Sequence, residues 1–466
     1  MIDFKEYGLE EIKNIFRDYF IKENVYSCDY TLGVKFMWHE YFKSSYAIVD
    51  NTLTFKETYD NSYGFYYPMG ENIDKMFSLL KNEIIESKEQ RLEFCCVDEK
   101  HLDDLKARFP HYECYFDRNW SDYLYLNKNF QTFAGGQYSN KRHHVKQFLN
   151  EYPEAVFKKC EKCEKDKLIN FIDEFSKTKI VDSSEGINEL NESKELIRHF
   201  DELNLDCFYI EYNGKVIAIS VCEVINDCIY DHVEKALRQY NSIYPYFVQK
   251  IANYYKNINY FNREDDSGDE GLRYSKEDYK PIKMINKYMF IVKNNLDLLD
   301  EIPTIKVNDS IVLSKILESD KTNYFNLYMD EELNKYWGYD YKKDLYGKEP
   351  TPDYFYNMVL EDFNKKEWFS FALKKDNKLV GEITLGELNN NNECEIGYRI
   401  IKSEQGKGNM YESLTVLIQY LYRKLAIFKI KAKSYRENIA SISLLKKLDF
   451  KEISSDETFS YFELKI

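Results

Sequence analysis

The residues best suited to chemistry in this sequence form a short glycine-containing loop, Glu404-Gln-Gly-Lys-Gly-Asn-Met410. A strand pattern over Cys394–Ile400 runs into this loop, and a helical pattern follows over Gly408–Leu425. The first N–H groups of a helix have no carbonyl partner and lie at the positive end of the helix dipole. The loop could therefore bind a pyrophosphate through its backbone, although an ordinary connecting loop has the same composition.

This segment resembles the signature of the GNAT acyltransferases, Gln/Arg-x-x-Gly-x-Gly/Ala, which here reads Gln405-x-x-Gly408-x-Met410. The surrounding sequence is similar to the ribosomal-protein acetyltransferases of the RimJ/RimL type. The matching positions, in chain order, are Glu395-Ile-Gly-Tyr398, Glu412, Asn438, Ser441 and Lys447-Leu-Asp-Phe450. The resemblance covers roughly the last third of the chain, which is the size of one domain.

The resemblance implies an acyl-CoA-dependent N-acyltransferase, with acetyl-CoA as the donor and a primary amine as the acceptor. A carboxylate can act as the base that removes the amine proton, and Glu395 is the candidate because it lies on the strand that would flank the thioester. Similarity to the RimL-like branch makes Ser441 the candidate for protonating the leaving thiolate. From the residues alone, Glu395 is equally well explained as a charge at a strand edge, and Asn438 as a helix N-cap. The residues expected to hold coenzyme A are Tyr398, Ile400, Gln405, Gly406, Lys407, Gly408, Asn409, Met410, Asn438 and Ser441.

The sequence departs from the family pattern at two positions. Met410 replaces the usual glycine or alanine, so its side chain could crowd the pyrophosphate. Leu445 stands where many GNAT enzymes have a tyrosine that protonates the thiolate, which leaves that role to Ser441 or open. These departures keep a domain that binds coenzyme A without catalysis as an alternative. Three rings, Tyr336, Trp337 and Trp368, could line the acceptor pocket, or could simply pack in the core.

A second cluster of ionisable residues lies in the first 295 residues, within Asn262-Arg-Glu-Asp-Asp-Ser-Gly-Asp-Glu-Gly-Leu-Arg273. The register of a calcium EF-hand is absent, so no metal site is predicted. Such acidic residues could hold an amino group, or could form a solvated charged loop. If they form a site, the expected lining is Glu234, Asn262, Arg263, Asp265, Glu270 and Arg273.

This half resembles the proteins related to the soluble C-terminal domain of phosphatidylglycerol lysyltransferase. The segments that carry the resemblance are Phe133–His144, Val233-Glu-Lys-Ala236, Asn262–Arg273, Lys276 and Tyr279-Lys-Pro281. The resemblance implies two GNAT-like folds in tandem and an aminoacyl transfer site. The basic residues Lys141, Arg142, His143, His144 and Lys146 could contact a tRNA backbone. The glycines of an acyl-CoA loop are missing from the matching turn, Glu234–Tyr240.

The elements that must position these residues alternate between helix and strand along the chain. We expect an α+β protein with three GNAT-like domains over residues 1–128, 129–295 and 299–466, each with a mixed, mostly antiparallel sheet flanked by helices. The main boundary is placed at the acidic, proline-containing join 295–303. Within the second domain, Asn213-Gly214 predicts the turn of a hairpin over Cys207–Glu223.

Composition narrows the classes of function. The formal net charge is -15, which disfavours non-specific binding of nucleic acid over the whole surface. The sequence shows no apolar run of the length that spans a bilayer and no signal-peptide pattern, so we expect a cytoplasmic protein without membrane contact. The pair Cys160-x-x-Cys163 has no second pair to complete a zinc site.

The sequence leaves three hypotheses. The first is N-acetyl transfer by the C-terminal domain. The second is aminoacyl transfer from aminoacyl-tRNA, centred on the N-terminal half. The third is a binding or sensing protein with degenerate sites. The acceptor and the oligomeric state do not follow from the sequence.

Overall fold

The computed structural model describes residues 2–59, 62–87, 91–177, 184–293, 295–345, 347–386, 393–425 and 427–466. Its strands form three sheets, each with helices packed against it. Each sheet is mostly antiparallel and contains a parallel pair. The architecture is therefore the α+β arrangement expected from the sequence.

The first sheet is built mainly from the first 116 residues. Its strands are β1 (Ser45–Val49), β2 (Thr52–Tyr59), β3 (Ser62–Phe65), β4 (Met69–Gly70), β5 (Glu93–Val97) and β6 (Tyr112–Phe116). The helices are α1 (Leu9–Glu11), α2 (Arg17–Glu23), α3 (Leu32–Trp38), α4 (Ile73–Ser87) and α5 (Leu102–Arg108). A π-helical stretch joins α1 to α2, and Ile12, Phe16 and Phe20 on this segment are buried. Their spacing of four residues places all three on one face, which explains why the segment packs as a helix.

The second sheet uses the middle of the chain. Its strands are β7 (Asp122–Leu126), β8 (Val156–Lys159), β9 (Asp206–Tyr212), β10 (Lys215–Ile225), β11 (Cys228–Ala236), β12 (Tyr260–Asn262) and β13 (Lys283–Ile285). The helices are α6 (Asn127–Thr132), α7 (Ser139–Glu151), α8 (Lys165–Ser176), α9 (Ser184–His199), α10 (Ile243–Tyr254) and α11 (Glu270–Asp278). The predicted hairpin is present as β9 and β10, and both turn residues, Asn213 and Gly214, have positive φ.

The first two sheets exchange strands, which the predicted boundary at residue 128 did not anticipate. Strand β7 lies within the second sheet, in the order β13-β7-β12-β11-β10-β9-β8. Strand β14 (Tyr288–Val292) returns to the first sheet, in the order β1-β2-β3-β5-β14-β6. Each strand completes a sheet that is otherwise made by the other part of the chain, so no single cut separates the two folds.

The third sheet has the order β15-β16-β17-β18-β19-β20-β22-β21. Its strands are β15 (Ile305–Lys306), β16 (Ile311–Ser314), β17 (Phe369–Lys375), β18 (Lys378–Gly386), β19 (Glu393–Ile400), β20 (Lys429–Tyr435), β21 (Lys451–Ser455) and β22 (Phe459–Lys465). Helices α12 (Lys321–Met329), α13 (Glu331–Asn334), α14 (Tyr341–Asp344) and α15 (Pro352–Asn364) precede β17. Helix α16 (Asn409–Leu425) follows β19, and α17 (Ile439–Lys447) follows β20.

The join before the third sheet is packed into the protein. Asn295, Leu296, Asp297 and Leu298 form a buried 3-10 turn. Leu296 belongs to the core of the third sheet, and an oxygen of Asp297 lies 2.9 Å from Nδ1 of His111 in the N-terminal half. Burial of these groups fixes the path of the chain between the two halves.

Candidate active site

A cleft opens where the neighbouring parallel strands β19 and β20 diverge. Their register runs from Glu393 opposite Lys429 to Glu395 opposite Lys431. Beyond this point, β19 pairs with β18 and β20 pairs with β22, each on the side away from the cleft. The cleft has a volume of about 1510 Å³ and is lined by both strands, the glycine loop, α15 and α17.

The glycine loop forms one end of this cleft. Gly406 and Gly408 have φ values of 71° and 83°, and a Cβ added to either would meet no atom within 4 Å. The loop therefore leaves open space beside its backbone, just before the unpaired N–H groups at the start of α16. Gln405 donates to the carbonyl of Ile400 at 3.0 Å, which ties the loop to the end of β19. This arrangement fits the pyrophosphate of coenzyme A.

The remaining loop side chains support the loop. Asn409 donates from Nδ2 to Glu404 at 2.8 Å, and exposed Lys407 pairs with the same carboxylate at 3.2 Å. Met410 is buried in the core of the third sheet. It also lines the cleft, so the crowding of the pyrophosphate considered from the sequence stays a prediction.

Two hydroxyls meet on the side of the cleft that α17 forms. The Tyr398 hydroxyl lies 2.9 Å from Oγ of Ser441, and Asn438 caps α17 by accepting from the Ser441 N–H at 3.2 Å. Burial raises the pKa of Tyr398 to about 12, and the hydrogen bond with Ser441 lowers it only partly. Tyr398 thus stays protonated and can share a proton with Ser441. Leu445 is buried core and offers no polar group.

Glu395 lies on the opposite face of β19. Strand alternation puts Glu395, Gly397 and Arg399 on one face, beside Gly386, Thr384 and Glu382 of β18. The Glu395 carboxylate is mostly shielded from solvent and lies 3.7 Å from Nζ of Lys433. It lines the cleft at the point where the strands separate.

The face that carries Glu395 is covered by aromatic side chains. The Arg399 guanidinium lies 4.2 Å from the ring centre of Trp337 and 3.9 Å from that of Tyr328. Its Nη2 pairs with buried Glu382 at 2.7 Å. Trp368 packs where a Cβ on Gly386 would stand. All three rings considered from the sequence, Tyr336, Trp337 and Trp368, line the cleft. The Arg399–Glu382 pair was not singled out from the sequence, although two charges in buried strands could have signalled it.

The residues predicted as a site in the N-terminal half line neither the large cleft nor a smaller pocket of about 130 Å³. Several of them form ion pairs instead. Arg263 donates from Nε to Glu234 at 3.0 Å, and both are mostly buried. Arg273 pairs with Asp266 at 2.8 Å, while Glu270 is exposed at the start of α11. The structure thus joins Glu234 to Arg263 and leaves Glu270 apart.

Asn262 and Asp265 contact a larger buried network between the first two sheets. Asn262 donates to Asp122 at 2.9 Å. The Lys287 ammonium lies 2.9 Å from Asp122, 3.2 Å from Asp29 and 3.3 Å from Asp265. This ammonium also lies 3.3 Å from Sγ of Cys28, so it occupies the centre of a Cys28, Asp122 and Asp265 group that could otherwise hold a metal ion.

His232 belongs to the same network. Its ring contacts Glu264 at 2.8 Å through Nδ1 and Glu223 at 3.2 Å through Nε2. Burial alone would lower the pKa of His232, but the two carboxylates raise it to about 10. Glu223 also accepts from the N–H of Gly33 at 2.9 Å, which connects the second sheet to α3. Neither His232 nor Lys287 was predicted, because their partners come from distant segments.

The basic face considered for tRNA is partly used within the protein. Lys141 is buried and pairs with Asp278 at 2.7 Å. Arg142 donates to the carbonyl of Gly135 at 2.7 Å, and His144 contacts the hydroxyl of Ser242 at 2.8 Å. Of the five basic groups, Lys141 is thus buried and neutralised within the protein, while Arg142 and His144 stay partly exposed.

Comparison with known proteins gives one match to each half of the chain. Residues 23–291 match the family described as phosphatidylglycerol lysyltransferase, C-terminal, and residues 310–451 match the acetyltransferase (GNAT) domain. A solved structure of a conserved protein of unknown function from Bacteroides thetaiotaomicron is 26% identical, with a TM-score of 0.60, and covers 63% of this chain and 100% of that one.

Two curated proteins are similar to part of the chain. One is an uncharacterized N-acetyltransferase p20 of Bacillus licheniformis, 33% identical over 85 residues, which are 18% of this chain and 48% of that protein. The other is a probable N-acetyltransferase YjcK of Bacillus subtilis (strain 168), 28% identical over 94 residues, 19% of this chain and 52% of that protein. The chain thus spans about half the length of each.

Among the described residues, no helix has both the length and the apolar character needed to cross a membrane. The match over 23–291 covers more than half of the sequence. The chain therefore belongs to the phosphatidylglycerol lysyltransferase C-terminal family, and its last third is a GNAT acetyltransferase domain.

Proposed function

We propose that the C-terminal domain transfers an acetyl group from acetyl-CoA to a primary amine. The observation that carries this proposal is the continuity of one cleft, which connects the open glycine loop to Tyr398 and Ser441 on one side and to Glu395 on the other. When bound, acetyl-CoA supplies the activated acetyl thioester. The backbone of Gln405–Met410 holds its pyrophosphate, and Asn438 faces its pantetheine arm.

Side chains on opposite sides of β19 carry out the two proton transfers of the reaction. Glu395 accepts a proton from the amine, directly or through a water molecule, so that the nitrogen lone pair becomes available. A C–N bond forms as the C–S bond breaks. Ser441, with Tyr398 2.9 Å away, supplies a proton to the leaving thiolate. In this assignment Leu445 needs no catalytic role.

Native mass spectrometry of the full chain tests this function. We expect a complex with one acetyl-CoA per chain, and release of free coenzyme A when an amine acceptor is added. A chain that binds no acetyl-CoA at concentrations well above the usual micromolar to millimolar KM range would contradict the proposal. A chain that binds acetyl-CoA but releases no coenzyme A with any amine would support the binding-only alternative instead.

A further inference from the structure

The acceptor half of the cleft carries more negative than positive charge. We define this half as the lining contributed by residues 328–384 together with Glu395, Gly397 and Arg399. Its carboxylates include Asp344, Glu361, Asp362, Glu367 and Glu395, while its cations are Lys335 and Arg399. The Arg399 guanidinium is paired with Glu382, and Nζ of Lys335 lies 3.8 Å from Glu437, outside this half. The paired Arg399 does not neutralise the other carboxylates, and of these Glu395 lies 3.7 Å from Nζ of Lys433 on β20.

Among the described residues, three of these carboxylates form no ion pair with lysine or arginine. Glu361 pairs with Lys365 at 2.6 Å, and Asp344 accepts from the Tyr339 hydroxyl at 2.7 Å. Over the described part of the chain, Asp362 and Glu367 form no ion pair with lysine or arginine. Burial and the neighbouring Glu367 and Glu361 outweigh the opposing effect of Lys365 and raise the pKa of Asp362 to about 6. A half-buried carboxylate among like charges is stabilised when a cation joins it.

Helix α15 presents this carboxylate in line with apolar groups. Tyr354, Met358 and Asp362 are four residues apart, so they form one stripe, and all three line the cleft. The stripe spans roughly 12 Å along the helix. Trp368 is 39% exposed beside Glu367, and Tyr339 is 36% exposed. Aromatic rings attract ammonium groups, and a methionine side chain packs well against methylenes.

We propose that the amine acceptor is an aliphatic diamine or polyamine whose second ammonium binds at Asp362 and Glu367. This inference rests on the proposed acetyl transfer. One amino group reacts at Glu395, and the methylene chain lies along the rings and Met358. A diamine has ammonium groups at both ends and methylenes between them, and the cleft lining offers carboxylates together with aromatic and methionine side chains.

The test compares amines that carry one, two or three positive charges. The full chain is assayed with acetyl-CoA and either 1,4-diaminobutane, spermidine or butylamine, by following coenzyme A release. We expect kcat/KM for the diamine and spermidine to exceed that for butylamine by about tenfold or more, the range of a charged hydrogen bond. Calorimetry without acetyl-CoA gives a second readout, in which spermidine binds more tightly than butylamine.

Two variants locate the second ammonium. Asp362→Asn and Glu367→Gln should each lower the preference for 1,4-diaminobutane over butylamine by about tenfold. Asp353→Asn is the matched control, because Asp353 is on the same helix, outside the cleft lining and paired with Lys321. It should keep the preference unchanged. Thermal unfolding of each variant checks that the fold is retained.

The outcomes separate the two proposals. If acetyl-CoA binds but butylamine or a peptide with a free N-terminus reacts as well as the diamine, the inference about the acceptor is overturned and acetyl transfer stands. The same holds if neither Asp362→Asn nor Glu367→Gln changes the preference. If acetyl-CoA does not bind, the proposed function fails and the acceptor inference fails with it.

Discussion

The hydroxyl of Tyr398 lies 2.9 Å from the hydroxyl of Ser441, and this contact joins β19 to α17 across the cleft. Tyr398 is on the face of β19 opposite Glu395. In the proposed mechanism, the strand separates the base on the acceptor side from the pair of proton donors on the donor side. This separation leads to distinct predictions for the two sides.

Replacing Gly408 should abolish acetyl-CoA binding. Gly408→Val adds a branched side chain at a φ of 83°, where the open space beside the backbone is needed for the pyrophosphate. Isothermal titration calorimetry measures the affinity. The control is Gly214→Val, which imposes similar strain at a φ of 73° in the hairpin turn of the second sheet. Unchanged affinity in the Gly408 variant would remove the loop from the binding site.

Replacing Glu395 should slow turnover while leaving acetyl-CoA affinity nearly intact. Glu395→Gln removes the base but keeps the size of the side chain, and loss of a general base typically costs about 10²–10⁴-fold in rate. Steady-state kinetics with a reacting amine gives kcat. Glu452→Gln on β21 is the control, since that residue lies outside the cleft lining. Wild-type turnover in Glu395→Gln would exclude this residue as the base.

The hydroxyl pair should act as one proton-donating unit. Ser441→Ala and Tyr398→Phe should each lower kcat, and the double variant should lower it little further, because residues that act as a unit are not additive. The rates of the four proteins form a double-mutant cycle. Fully additive losses would show that the two hydroxyls contribute independently.

His232 should stabilise the N-terminal half most strongly at low and neutral pH. Its pKa is raised to about 10 in the folded protein, above the ordinary value of 6.5. The contribution is therefore complete below about pH 6.5 and is lost as pH rises through 10. His232→Gln leaves Glu223 and Glu264 without their charged partner, which typically costs about 3–5 kcal/mol.

Urea unfolding of wild type and His232→Gln at several pH values measures this contribution. The difference in unfolding free energy should be largest near pH 6 and should shrink towards pH 10. His143→Gln is a control because no ion pair of His143 is seen within the described segments. A difference that grows with pH would show that His232 is neutral in the folded protein.

Local sequence determined the parts of this protein that depend on short-range geometry. The loop Gln405–Met410 could be identified because its glycines directly precede a helix, and the Asn213-Gly214 hairpin because two adjacent residues favour positive φ. The resemblances to known families predicted the fold of each half, and the family matches over residues 23–291 and 310–451 confirm both predictions. The roles of Glu395 and Ser441 stay predictions, now with both residues placed on one cleft.

Only the tertiary structure decided which distant segments meet. Strand β14 pairs with β5 and β6, far earlier in the chain, and no local pattern encodes such a return. Lys287 contacts Asp29 and Asp122. The sequence alone does not show which residue a given charged side chain will pair with. The stripe on α15 was not predicted from the sequence, and its position over the Glu395 side of the sheet follows from packing. Local propensities act over a few residues, whereas burial and charge pairing select among contacts between segments that only folding brings together.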